Sequence, residues 1–185
     1  DYLNKVMKIK LPNTKIKLLQ QLLAKAIGQL KAVNKIKGID FSKKMESLVE
    51  KYNERKDEDV LQSEVLEDFT DEILDLYYAL KDENESFEEM GINIEEKAFY
   101  DILLALAIKY DFKYPEDKLI ELAKKVKTTV DDKARYADWN QRADIKAELK
   151  VDLIILLAEN DYPPIDRDEV YQEIFEQAEN FKKNR

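Results

Sequence analysis

"DIKAELKVDLIILLAEN" runs from Asp144 to Asn160, and its reading decides the fold. It holds Asp144 and then Glu148-Leu149-Lys150, an acid followed by an acid-x-lysine. Metal-dependent nucleases often place side chains in that order around divalent ions. The chemistry requires a strand, on which residues i and i+2 share a face. A helix sets the same two about 200° apart. Ile145, Leu149, Leu153, Leu156 and Leu157 recur at helical spacing, so the stretch is read as a helix. Glu148 and Lys150 then point away from each other. Asp144 and Glu148 share a side one turn apart, where like charges mildly repel. The expectation is a solvated polar face opposite the Leu149–Leu153–Leu156 stripe. "EEK" (95–97), "EDK" (116–118) and "DDK" (131–133) look similar, and a chain that is 38% charged produces such triplets by chance.

The same periodicity extends outward in both directions. Ile16, Leu19, Leu23, Ile27, Leu30 and Val33 form one stripe, and Gly38 is expected to end that helix or shape the turn after it. Asp40 or Ser42 then caps a second helix carrying Phe41, Met45, Leu48, Val49 and Tyr52. "NERKDED" (Asn53–Asp59) reads as a loop. A third helix is expected from about Gln62 to Lys81, with Val65, Leu66, Phe69, Ile73, Leu76, Tyr77 and Leu80 inward and acids elsewhere. "NIEE" (Asn93–Glu96) is a capping box that opens a fourth helix, and Pro115 suits the first turn of a fifth. "DDKARYADW" is a connector. Asn140 caps a sixth helix, with Trp139 just outside it as a staple. "NDYPPID" stops that helix, and Asp166 with Glu169 starts a last one bearing Val170, Ile174, Ala178 and Phe181. No strand-like alternation competes. The fold class is all-α, a single bundle of about seven helices, with the first as part of the core or as an arm.

Composition agrees and narrows the chemistry. With 185 residues, one domain is expected, burying roughly 70% of the unfolded chain's surface. Three glycines and four prolines suit a helical chain. There is no cysteine, so neither a disulfide framework nor a thiolate metal site forms. There is no histidine, which removes the usual zinc ligand and the commonest general base. Gly28, Gly38 and Gly91 are too scattered for a phosphate-binding loop. Acid pairs such as Glu67 and Asp71 offer only weak divalent-ion binding, since bundle di-metal sites add histidine. No catalytic, cofactor-binding or metal-ligating residue is therefore expected. Apolar runs such as Leu153–Ala158 fall far short of the roughly 20 residues of a membrane span. The chain begins at Asp1 without a start methionine and is read as a piece of a longer protein.

Charge is unevenly spread. The net charge is -9, yet residues 1–38 carry nine lysines against one acid and residues 57–96 carry sixteen acids against one base. An acidic body repels nucleic acid. The basic block is the exception, and Lys15, Lys17, Lys25 and Lys31 are its candidate DNA contacts. The acidic third helix needs basic neighbours, in the lysine-rich first helix or on a partner, unless water alone solvates it. Glu67, Asp71, Asp75 and Tyr78 are its candidate partner contacts. Trp139 and Arg142 form a second candidate, as a hot spot or as a local staple.

One long run of clusters carries a resemblance. "SFEEMGINIEEKAFYDIL" (86–103), "WNQRADIKAELK" (139–150), "LLAENDYPP" (156–164) and "EVYQEIFEQAENFK" (169–182) resemble the C-terminal helical domain of the restriction (motor) subunit of type I restriction–modification enzymes. "FSKKMESLVEKYNER" (41–55) is similar to that family's second helix. The likeness is dense from Ser86 to Phe181 and looser from Leu19 to Leu80. The basic first helix and the acidic middle depart from it. The resemblance implies a parent subunit with a nuclease domain and two RecA-like motor domains, an ATP-dependent, Mg-requiring type I site-specific deoxyribonuclease of the cytoplasm. It implies that residues 1–12 are a linker from the motor and that 13–185 are the C-terminal helical domain. That domain would be non-catalytic and without cofactor. It would dock the motor subunit onto the modification (M) and specificity (S) subunits, with weak DNA contact at most and no membrane. A DNA-handling or motor-supporting element using the basic first helix is the alternative, and a helical metal-dependent hydrolase ranks last.

Overall fold

The computed structural model describes residues 2–9, 12–54, 63–165 and 168–183. Asn53, expected in the Asn53–Asp59 loop, still belongs to the helix before it, and the rest of that loop from Arg55 on, the third helix's start at Gln62, the Asp166 cap and the Phe181 side chain lie outside the described residues. The all-α expectation holds. Eight α-helices are described: α1 (Tyr2–Met7), α2 (Pro12–Val33), α3 (Lys35–Asn53), α4 (Ser63–Glu85), α5 (Ile94–Lys109), α6 (Glu116–Ala134), α7 (Ala143–Glu159) and α8 (Asp168–Lys183). A 3-10 turn at Trp139–Gln141 precedes α7, and no strand occurs among the described residues.

The helices gather into two compact units, Asp1–Lys31 with Lys37–Glu85, and Ala32–Ile36 with Ser86–Arg185. In the first, the α2 stripe Ile16–Leu19–Leu23–Ile27–Leu30 is buried with Phe41 of α3 and Leu66, Phe69, Ile73 and Leu80 of α4. So α2 is a core helix of this unit, not a projecting arm. Leu3 and Val6 of α1, within the stretch expected as linker, are buried in the same core. Tyr52 stacks on Phe69 with ring centroids 4.2 Å apart.

Gly38 departs from expectation. It lies inside α3, and the helices break at Asn34 instead. A Cβ at position 38 would overlap Lys31 Cα and Cβ on α2, so the glycine permits a close backbone crossing. Ser42 is not a cap either: its hydroxyl donates to Gly38 O at 2.8 Å, one turn back.

In the second unit, α5 packs on α6 and α8, and α7 packs on the same two helices. α5 and α7 therefore face each other across a four-helix arrangement. Phe99, Leu103, Leu122, Val126, Leu149, Leu157, Val170 and Ile174 are buried at its centre. The Asn93 side chain accepts from Glu95 N and Glu96 N, and the Glu96 carboxylate accepts from Asn93 N at 2.9 Å, closing the expected capping box. Asn140 does not cap α7. It sits in the 3-10 turn, which leaves Arg142 at the cap position without a side-chain cap bond. α6 runs through Asp131–Lys133 to Ala134, shortening the expected connector.

The α2–α3 break belongs to this unit and is stabilised by buried polar groups. The Gln177 side chain accepts from Lys35 N at 3.2 Å and donates to Val33 O at 3.3 Å, serving one orphaned backbone group on each side of the break. Asn34 donates to Asp101 at 2.6 Å, and Lys97 donates to both Asp101 oxygens at 2.7 and 2.8 Å. Removing one partner of a buried pair like Lys97–Asp101 costs about 3–5 kcal/mol.

Candidate functional site

On α4 the inward positions Leu66, Phe69, Ile73 and Leu80 leave Glu67, Asp71, Asp75 and Tyr78 on the opposite side. These four are exposed and recur at intervals of four, four and three residues, forming one stripe about 16 Å long. Among the described residues no lysine or arginine pairs with Glu67, Asp71 or Asp75. Two bases of α3 reach α4: Lys51 meets Glu72 at 2.7 Å and Lys37 meets Glu83 at 3.7 Å. Tyr78 is 50% exposed, and its ring meets that of half-buried Tyr77 edge-on.

The second expected contact divides. Trp139 is only 4% exposed and packs in the core of the second unit, so its indole is not a surface hot spot. The 3-10 turn directs it inward. Arg142 is exposed and grips Asp144, with Nη2 2.5 Å from Oδ2 and Nε 3.2 Å from Oδ1. These hydrogen bonds, more than charge alone, hold the Asp144 carboxyl below the usual carboxylate range. The Arg142 guanidinium also lies 5.9 Å from the centroid of the exposed Tyr136 ring.

Three of the four α2 lysines lie within about 120° of one another around the helix, away from its buried stripe, and Lys15 stands apart from them. Lys15 is half-buried, whereas Lys17, Lys25 and Lys31 are exposed. Lys15 and Lys17 lie about 200° apart around the helix.

The constellation of Asp144, Glu148 and Lys150 is dismantled by pairing. Glu148 and Asp152 share Lys133 of α6, at 2.9 and 3.2 Å. Those two carboxylates raise the Lys133 pKa by hydrogen bonding. Lys150 is exposed and away from both. Among the described residues no group of three or more acids could hold a metal ion.

The face of α7 opposite its core stripe is not polar, contrary to expectation. Val151 (54% exposed), Ile154 (36%) and Ile155 (50%) occupy it, with Ala147 and Ala158 exposed at its ends. Helical spacing alone assigns one apolar stripe here, although "VDLIILLA" (151–158) supplies two. Beside Ile155, a groove of about 380 Å³ is lined by Asp132, Lys133, Arg135, Asp152, Leu156 and Glu159, among others.

Residues 1–184 match the family described as type I restriction enzyme HindI endonuclease subunit-like, C-terminal. A protein of Methanocaldococcus jannaschii, provisionally named the type I restriction enzyme MjaIXP endonuclease subunit, is 26% identical over 184 residues, covering 97% of this chain and 16% of that protein. The chain thus spans only a small part of that curated relative's length. No solved structure matches it.

Proposed function

The chain belongs to the family formed by the C-terminal regions of type I restriction enzyme endonuclease subunits, and on that premise we propose that it is a non-catalytic helical docking domain. It would join an ATP-dependent, DNA-translocating endonuclease subunit to the modification and specificity subunits. Nucleotide and magnesium would belong to other parts of the longer subunit, which acts in the cytoplasm. No helix among the described residues is long and apolar enough to cross a membrane.

The observation that carries the reading is the α4 stripe. Glu67, Asp71 and Asp75 stand exposed with no basic partner among the described residues, and Tyr78 ends their line. Like charges stacked along one helix side cost a few tenths of a kcal/mol per pair, and a basic partner surface would relieve that. Phosphate contact through Lys15, Lys17, Lys25 and Lys31 draws less support, because Lys15 is half-buried and turned away from Lys17.

The test is co-elution of the chain with its cognate modification–specificity complex on a sizing column. Glu67→Lys, Asp71→Lys and Asp75→Lys together should weaken assembly about tenfold or more while the circular dichroism spectrum is retained. Undiminished assembly by the folded triple variant would remove α4 from the docking surface.

A further inference from the structure

We propose that the outward face of α7 is a second docking surface, and that its occupant is an amphipathic helix of the modification–specificity complex with one basic edge. This rests on the docking reading above and adds to it a contact of different chemistry, apolar rather than acidic.

A helix at the surface of a bundle needs one apolar stripe, and α7 has two. Ile145, Leu149, Leu153 and Leu157 fill the core. On the other side Ala147, Val151, Ile154, Ile155 and Ala158 recur at helical spacing over about 16 Å, all of them exposed. Valine and isoleucine are middling helix formers because the preceding turn restricts their branched side chains. Local helix stability therefore does not explain them at solvent positions. A contiguous exposed apolar stripe marks a surface that meets something. Its profile, small residues at both ends and large ones in the middle, suits a crossing helix.

The charges beside the stripe select the occupant. The edge toward α6 carries Glu148, Asp152 and Glu159. Lys133 already holds the first two, whereas Glu159 and Asp132 line the adjoining groove with no basic partner among the described residues. The edge toward α8 carries exposed Lys150, while Lys146 is taken by Glu179 at 2.5 Å. A helix laid along the stripe is complementary if it sends a lysine or arginine into the groove at Glu159 and sets an acid near Lys150. An antiparallel second copy of this chain fits worse: pairing about a two-fold axis across the helices sets each edge against itself, acids on acids and Lys150 near Lys150.

The experiment runs the whole chain with the cognate modification–specificity complex on a sizing column and titrates the pair for Kd. The variants are Val151→Asp with Ile155→Asp, Glu159→Lys alone, and the α4 triple set. Loss of about tenfold or more in affinity for the Val151/Ile155 variant, with its thermal melt unchanged, is expected. Glu159→Lys should weaken binding several-fold; touching no apolar side chain, it carries the test alone if the aspartates unfold the bundle. Wild-type co-elution with both α7 variants binding normally would overturn the α7 surface and leave the docking reading standing. Failure of the folded wild-type chain to co-elute would overturn both. A wild-type chain that elutes as a dimer, and a Val151/Ile155 variant that elutes as a monomer, would make the face a self-association surface and overturn the proposal.

Discussion

Arg142 and Asp144 are two residues apart, and their two-pronged contact keeps the carboxyl ionised to lower pH than usual. Both side chains are exposed, so water screens the pair and its main readout is titration rather than stability. Arg142→Ala should raise the Asp144 pKa toward the ordinary aspartate value, read by NMR titration of its carboxyl carbon. The sign follows from linkage. A carboxyl lowered in the folded state contributes stability that is present above the unfolded pKa and lost as pH falls through the folded one. The variant should therefore show slightly less acid-induced loss in this range, and an unshifted Asp144 would mean that the contact does not persist in solution. Trp139, three residues earlier, marks the limit of local reading. Its neighbours in sequence leave open a surface hot spot or a local staple, and only the turn that carries it shows the indole to be buried.

At the scale of the element, α3 is instructive. Glycine inside a helix costs about 1 kcal/mol relative to alanine, which is why Gly38 reads as a helix end. The cost is accepted because α2 crosses there, with Lys31 backbone where a Cβ would go. Gly38→Ala should thus destabilise the protein by about 1–3 kcal/mol despite alanine's better helix propensity, measured by urea denaturation. A neutral or stabilising outcome would show that the crossing relaxes without strain. The actual break, at Asn34, has no proline or glycine to announce it. Its partners Gln177 and Asp101 lie 142 and 67 residues away from the groups they bind, beyond any local pattern. The capping box at Asn93 was legible for the opposite reason: all its partners lie within three residues.

Across the whole molecule, charge separates what the chain repels from what it can bind. A net charge of -9 opposes the phosphate backbone, and only three of the four candidate lysines of α2 share its exposed side. The chain alone should not shift duplex DNA in a gel at physiological ionic strength; a shift that fades steeply with added salt would instead favour the DNA-handling role. Of the two candidate surfaces, the acidic one on α4 was visible in sequence because Glu67, Asp71 and Asp75 stand one turn apart opposite an apolar stripe. The apolar one on α7 was not. Leucine, isoleucine and valine look alike in a periodic pattern whether they face a core or water.

The sequence by itself determined the all-α class, most helix positions, the lack of histidine and cysteine chemistry, and the family, because helical period, caps and composition are local properties. Tertiary structure decided which apolar residues are buried, where the chain breaks between α2 and α3, and which charges are already paired. Those outcomes depend on the neighbour a side chain meets after folding. Val151 and Leu153, two residues apart and chemically alike, lie on opposite sides of α7, one exposed and one in the core.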